Sequence, residues 1–244
     1  MTDAPFCLML PGTLCDDRLF APMLETGSPM GSDRQHRVAN LHGLLVDTRA
    51  WWEMQLAHLP EHFDVLGFSL GAVLALQLLG IAPERVRRLV LVAGNSAAGN
   101  DSHRERVSLQ RALWQSQGPA SVATQMLEQA SAMAAEDRHR QLVLQMACDT
   151  PTPAFMVQGE VNATRPDGLS WLAGWKGPLL LVSGADDPWC GADKQMRMRS
   201  VVPGARWSEL AQCGHYVPLE QPRVLAELTD SFLREPDPRQ RSNQ

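Results

Sequence analysis

The 244-residue chain has no apolar run approaching the roughly 18 residues that a membrane span needs. Its first residues, Met1-Thr2-Asp3-Ala4-Pro5, lack the basic stretch ahead of an apolar one that marks a secretory leader, so the cytoplasm is the expected location. Basic residues are not in excess: 22 Lys and Arg stand against 27 Asp and Glu, a net charge of −5, and no feature recruits nucleic acid. The tight basic group Arg85, Arg87 and Arg88 flanks an apolar stretch and reads as a solvated helix end. The five cysteines (Cys7, Cys15, Cys148, Cys190 and Cys213) are odd in number, scattered and without metal-ligand spacing, so they read as reduced thiols. No metal or organic cofactor is expected, and neither repeats nor low-complexity segments occur. What the chain does have is 44% hydrophobic residues, enough for one large core.

The apolar segments alternate between two kinds. Short runs bounded by Gly and Pro predict strands near Phe6 to Leu10, Arg37 to Leu41, His62 to Gly67, Arg88 to Ala93, Leu179 to Ser183 and Arg206 to Leu210. Helical patterns fall between them at about Thr48 to Leu59, Leu70 to Ile81, Ala192 to Val201 and Arg223 to Arg234. Such alternation predicts an α/β fold with a doubly wound, mostly parallel sheet of about six strands. Residues 235–244 are polar with two prolines and read as a flexible tail.

Gly67-Phe68-Ser69-Leu70-Gly71 lies where the third strand gives way to a helix, the context in which G-x-S-x-G forms a nucleophile elbow. The turn is tight enough that side chains two before and two after the serine would collide, so both positions are glycine. Ser69 then projects from the sheet at a helix N-terminus, where the helix dipole favours developing negative charge. Its hydroxyl needs a base, and histidine has the pKa for that task. His215, in Gly214-His215-Tyr216 after the last strand, is the candidate. An acid to orient its ring is offered by Asp186 or Asp187 after the fifth strand. Serine, acid and histidine thus follow in that order, each at the C-terminal end of a strand, where open α/β sheets build their sites.

On these pieces, together with Leu10-Pro11-Gly12-Thr13, Ala82-Pro83-Glu84-Arg85-Val86, Gly184-Ala185-Asp186-Asp187-Pro188 and Gly214-His215 followed by Glu220 and Pro222, the chain resembles the α/β-hydrolase superfamily over almost its whole length. It is most similar to the small bacterial carboxylesterase, enol-lactonase and carbon–carbon bond hydrolase group. The resemblance maps the acid, three residues after a glycine and just before a proline, onto Asp187. It implies an oxyanion hole from the backbone N–H groups of Thr13 and Leu70, although many relatives carry His where this chain has Pro11. It also implies a helical cap inserted before the acid strand. The antiparallel hairpin that opens the family fold is expected to be absent, since only five residues precede Phe6.

The expected division is therefore a hydrolase core from 1–94 and 178–234 with a cap from 95–177. In the cap Val122, Met126, Ala130 and Met133 recur at steps of three and four. Because a cap turns apolar surface toward the cleft that it covers, a pocket for a small to medium apolar substrate is expected from Leu14 and Phe68 below and Met126, Met133, Met146, Phe155 and Trp171 above. Arg104, Arg111 and Arg165 read as solvated surface charges. The function these residues favour is a serine hydrolase cleaving an ester, thioester or lactone through an acyl-enzyme. The alternatives are a carbon–carbon bond hydrolase of a ring-cleavage product, an acyltransferase or cyclase, and a non-hydrolytic binding protein on the same fold. Dehalogenase and epoxide hydrolase readings fit poorly, because those relatives place aspartate at the elbow. Oligomeric state is not readable from the chain.

Overall fold

The computed structural model describes residues 6–26, 34–133 and 137–235. In chain order its elements are β1 (Phe6–Leu10), a short α1 (Ala21–Leu24), β2 (Gln35–Val38), α2 (Thr48–Leu56), β3 (Phe63–Phe68), α3 (Leu70–Ile81) and β4 (Val86–Val92). Five helices follow without a strand between them: α4 (Asp101–Gln117), α5 (Pro119–Ala130), α6 (Arg138–Asp149), α7 (Thr152–Thr164) and α8 (Leu169–Gly174). The chain then returns through β5 (Leu179–Gly184), α9 (Ala192–Arg199), β6 (Arg206–Leu210), α10 (Val217–Glu220) and α11 (Pro222–Arg234). The hairpin expected to be absent concerns residues before Phe6, which lie outside the described residues, as does the expected tail beyond Glu235.

The six strands form one sheet in the order β2-β1-β3-β4-β5-β6, with each adjacent pair parallel. Strand side chains alternate between its faces, and the sequence supplies apolar residues to both. Leu8, Leu10, Leu89, Leu91, Leu179 and Leu181 enter the core shared with α2 and α3. Their neighbours Cys7, Met9, Val90, Val92, Leu180 and Val182 enter the opposite core, with Leu225, Ala226 and Phe232 of α11. This second core continues into the inserted helices through Trp114, Val122, Leu127, Val143, Met146 and Phe155. Trp114 stacks on Phe155 at 4.1 Å between ring centroids.

The sheet also fixes charge at its other end. Asp64 is fully buried at the start of β3. It pairs with Arg34, and with Arg87 and Arg88 at 3.6 and 3.5 Å. Arg85 donates to the carbonyls of Leu59, Pro60 and Glu61. The three arginines are therefore not the solvated helix end that their clustering suggests, because two lie on β4 beside a buried carboxylate. Among the described residues no helix is long and apolar enough to cross a membrane.

The strand order reverses between β1 and β3, since β2 lies outward of β1 and the chain crosses back over it to β3. A cleft opens at the carboxyl ends of strands at such a switch point. The four non-glycine residues with positive φ among the described residues lie just beyond strand ends at this edge: Leu14 (60°), Ser69 (53°), Ala93 (48°) and Gln212 (52°). Strain held by a surrounding scaffold at one edge of a sheet points to a functional site there.

Candidate active site

The turn from β3 to α3 explains both of its glycines. A Cβ at Gly67 would lie 2.5 Å from the carbonyl oxygen of Gly71, and one at Gly71 would lie 2.0 Å from that of Leu10 on β1. Neither backbone can withdraw, so any side chain would spread the elbow. Ser69 occupies φ 53° and ψ −111°, anchored by its N–H to the Val92 carbonyl at 3.0 Å. Its own carbonyl accepts from Ala72 and Val73 and so starts α3.

His215 brings Nε2 to 2.9 Å from Ser69 Oγ, while Nδ1 lies 2.8 Å from Asp187 Oδ2. Asp187 is 5% exposed and His215 2%. The carboxylate's other oxygen accepts from the N–H groups of Trp189 and Cys190, at 2.8 and 3.0 Å. Burial alone would raise the Asp187 pKa; the His215 ring and its hydrogen bond, with the two N–H donors, outweigh it and hold the carboxyl below its ordinary value. A carboxylate on Nδ1 fixes the tautomer that leaves Nε2 free to accept the serine proton. Asp186, by contrast, is exposed. Its N–H donates to the Cys213 carbonyl and so ties the acid loop to the histidine loop. Glu220 braces that loop, accepting from the N–H groups of Gly214 and Tyr216 at 2.6 and 3.0 Å.

Two N–H groups beside Ser69 are open. Those of Thr13 and Leu70 have no recorded acceptor among the described residues. The loop that presents Thr13 is held from α7. Gln158, fully buried, accepts from the Leu14 N–H at 2.9 Å and donates to the Leu41 carbonyl at 3.1 Å. One turn later Asn162 donates to Thr13 Oγ1 at 3.0 Å. The i, i+4 spacing of Gln158 and Asn162 puts both on one face of α7, a signal present in the sequence that motif reading passed over.

Above Ser69 lies a cavity of about 80 Å³, bordered by Thr13, His215, Trp189 and Met126. Its wall differs from the apolar one expected. Of the anticipated lining residues, Met126 reaches it. Leu14, Phe68, Met146 and Phe155 are buried in the core beneath, and Met133 lies past the end of α5, packed against the same core. Trp171 sits on the far face of the sheet, where its indole packs so closely on α3 that a Cβ at Gly80 would lie 2.6 Å from it. The physical reason is that the inserted helices bury most of their apolar residues in a core shared with one another and with the sheet, which leaves polar residues beside Val107 and Met126 to face the cleft. His103, Arg106, Gln110, Asn95 and Arg165 do so. Arg165 is therefore not a solvated charge: it is 6% exposed, donating to the Ala97 and Asn162 carbonyls. Arg104 and Arg111 pair with Asp101 and Glu160 outside the cavity.

Asp187, Cys190 and His215 bring ligand-type atoms within 4.8 Å of one another. Both Asp187 oxygens are already engaged, however, and burial raises the Cys190 thiol pKa, which disfavours the thiolate that a metal would need. The set reads as a hydrogen-bond relay.

A model described as the alpha/beta hydrolase family matches residues 24–228. A pimeloyl-[acyl-carrier protein] methyl ester esterase of Nitrosomonas europaea is 27% identical over 192 residues, covering 71% of this chain and 72% of that protein. Among solved structures, an esterase from Thermogutta terrifontis superposes with a TM-score of 0.78 at 17% identity over 94% of this chain and 89% of its own. The enol-lactonase from Burkholderia xenovorans LB400 does so with 0.75 at 18% identity, over 96% and 92%.

Proposed function

The chain belongs to the alpha/beta hydrolase family, and on that premise we propose that it is a serine hydrolase cleaving an ester, thioester or lactone of a small molecule through an acyl-enzyme. The observation that carries this reading is the unbroken hydrogen-bonded line from Asp187 through His215 to Ser69, ending at a serine strained to φ 53° below an open cavity. An ester is favoured as the bond broken because the Nitrosomonas europaea relative is a methyl ester esterase.

In this mechanism Ser69 Oγ attacks the substrate carbonyl as its proton passes to His215 Nε2. Negative charge then develops on the carbonyl oxygen, where the free N–H groups of Thr13 and Leu70 receive it. Each such donor is worth roughly 10²–10³ in rate. The tetrahedral intermediate collapses, the leaving group takes the proton from His215, and the acyl group stays on Ser69. Water then repeats the sequence with His215 as base, releasing the acid and restoring Ser69. Asp187 remains ionised throughout and balances the imidazolium. Residues 1–94 and 178–234 form the reacting core in this scheme. Residues 95–177 serve as its cap, and α7 holds the loop that carries Thr13.

The test is hydrolysis of p-nitrophenyl acetate by the intact chain and by Ser69→Ala and His215→Ala. Each substitution is expected to lower kcat by about 10⁴-fold or more. Turnover that survives Ser69→Ala rejects the proposal.

A further inference from the structure

One face of α4 builds the cavity wall. His103, Arg106, Val107 and Gln110 recur at steps of three and four and all line the cavity. Arg165, just past the end of α7, stands beside them with its guanidinium engaged by carbonyls and facing His103. Arg106 differs. Among the described residues its guanidinium has no hydrogen bond and no ion pair; it lies 5.8 Å over the ring of Trp189, which itself packs edge-on against His215. The side-chain amide of Gln110, a residue more than nine-tenths buried, likewise has no hydrogen-bond partner among the described residues.

His103 stands among donors: its Nδ1 lies 3.2 Å from the Asn100 N and its Nε2 3.2 Å from Arg165 Nη2. A backbone N–H and a guanidinium offer donors alone, and the neutral ring can accept from only one of the two, so its protonated nitrogen faces a donor. Donors thus dominate this wall, and among the described residues no carboxylate lines the cavity. Buried positive charge without a counter-charge is costly. Accordingly, burial pushes the Arg106 pKa down. Burial together with Arg165, Arg106 and Lys194 lowers that of His103 to about 4.

We propose that Arg106, with Gln110 and His103 beside it, is a subsite for a carboxylate carried by the substrate. This rests on the serine hydrolase reading of the same cavity and narrows its substrate class. The preferred ester or thioester has an acyl part that ends in a carboxylate a few atoms beyond the scissile carbonyl. A planar guanidinium backed by the Trp189 ring leaves its edge free for the two-pronged contact that carboxylates favour. The small cavity suits a short acyl chain, since its 80 Å³ corresponds to about three waters at the roughly 30 Å³ that each occupies in the liquid.

The test compares monomethyl and dimethyl esters of succinic, glutaric and adipic acids with the intact chain, Arg106→Gln and Arg106→Lys. At one chain length or more, kcat/KM is expected to favour the monomethyl ester by about tenfold or more, chiefly through KM. Arg106→Gln should abolish that preference and Arg106→Lys should keep part of it. Preference for the dimethyl ester at every length, or a preference unchanged in Arg106→Gln, overturns the proposal. Calorimetric titration of the Ser69→Ala protein with succinate, glutarate and adipate reads the subsite without turnover, and binding should vanish when Arg106→Gln is added. Binding by none of the three overturns the subsite. If binding depends on Arg106 while no ester is cleaved, the subsite stands and the serine hydrolase reading fails.

Discussion

Replacing Gln158 by Met keeps its length and removes both of its hydrogen bonds. The side chain is fully buried and bridges the Leu14 N–H, at 2.9 Å, to the Leu41 carbonyl, at 3.1 Å. The thioether cannot donate to the carbonyl and is only a weak acceptor for the N–H. The Leu14 N–H would be left buried without a good partner, whereas the Leu41 carbonyl keeps its bond from the Leu44 N–H at 3.2 Å, so a loss of about 1–3 kcal/mol in unfolding free energy is expected. Leu14 is also held at φ 60°, a conformation costing about 1–3 kcal/mol that persists only while its surroundings impose it. Once released, the loop relaxes and carries the adjacent Thr13 N–H away from the position proposed for the oxyanion. Losing one such donor lowers kcat by about 10²–10³-fold, with little change in KM. Urea unfolding followed by tryptophan fluorescence measures the first effect, and steady-state hydrolysis of p-nitrophenyl acetate in the absence of denaturant measures the second. A Gln158→Met protein with unchanged midpoint and unchanged kcat would refute the argument that α7 sets the loop.

Other outcomes follow from the same geometry. Asp187→Asn should lower kcat by about 10⁴-fold with little effect on KM, whereas Asp186→Asn, in an exposed side chain, should leave steady-state kinetics near those of the intact chain. Gly71→Ala places a Cβ 2.0 Å from the Leu10 carbonyl oxygen, so thermal unfolding should show a loss of about 2–3 kcal/mol or more. His103 should titrate near pH 4 by NMR. Because that folded value lies below the unfolded one of 6.5, the unfolded chain gains a proton that the folded chain refuses. Stability should therefore be unaffected by this residue above about pH 6.5, fall as pH drops toward 4, and lose that slope in His103→Gln.

The sequence made legible whatever is punctuated locally. β1, α3 and β6 begin and end where their Gly, Pro and apolar runs predict, and the elbow and histidine loop occupy their expected strand ends. β2 lies earlier than expected, at Gln35–Val38, because Asn40 caps a 3₁₀ turn through the His42 N–H and draws residues 41–43 out of the strand. β4 starts at Val86, ahead of the expected Arg88, since the charges of Arg87 and Arg88 are answered on the sheet by Asp64. The pocket was illegible for a different reason. An apolar stripe such as Val122-Met126-Ala130 tells which face of a helix is buried, not what covers it, and here the core covers Val122 while Met126 also reaches the cavity. The polar period His103-Arg106-Gln110 was equally visible in the sequence. A polar face is solvated by default, however, and only the third dimension turns it toward Ser69.

The most direct test of the central claim is reaction of the intact chain with a fluorophosphonate, followed by proteolysis and mass mapping of the adduct. The account predicts one phosphonyl group per chain, attached to Ser69, absent from Ser69→Ala and formed far more slowly in His215→Ala. An adduct on another residue, or labelling that survives Ser69→Ala, would contradict it.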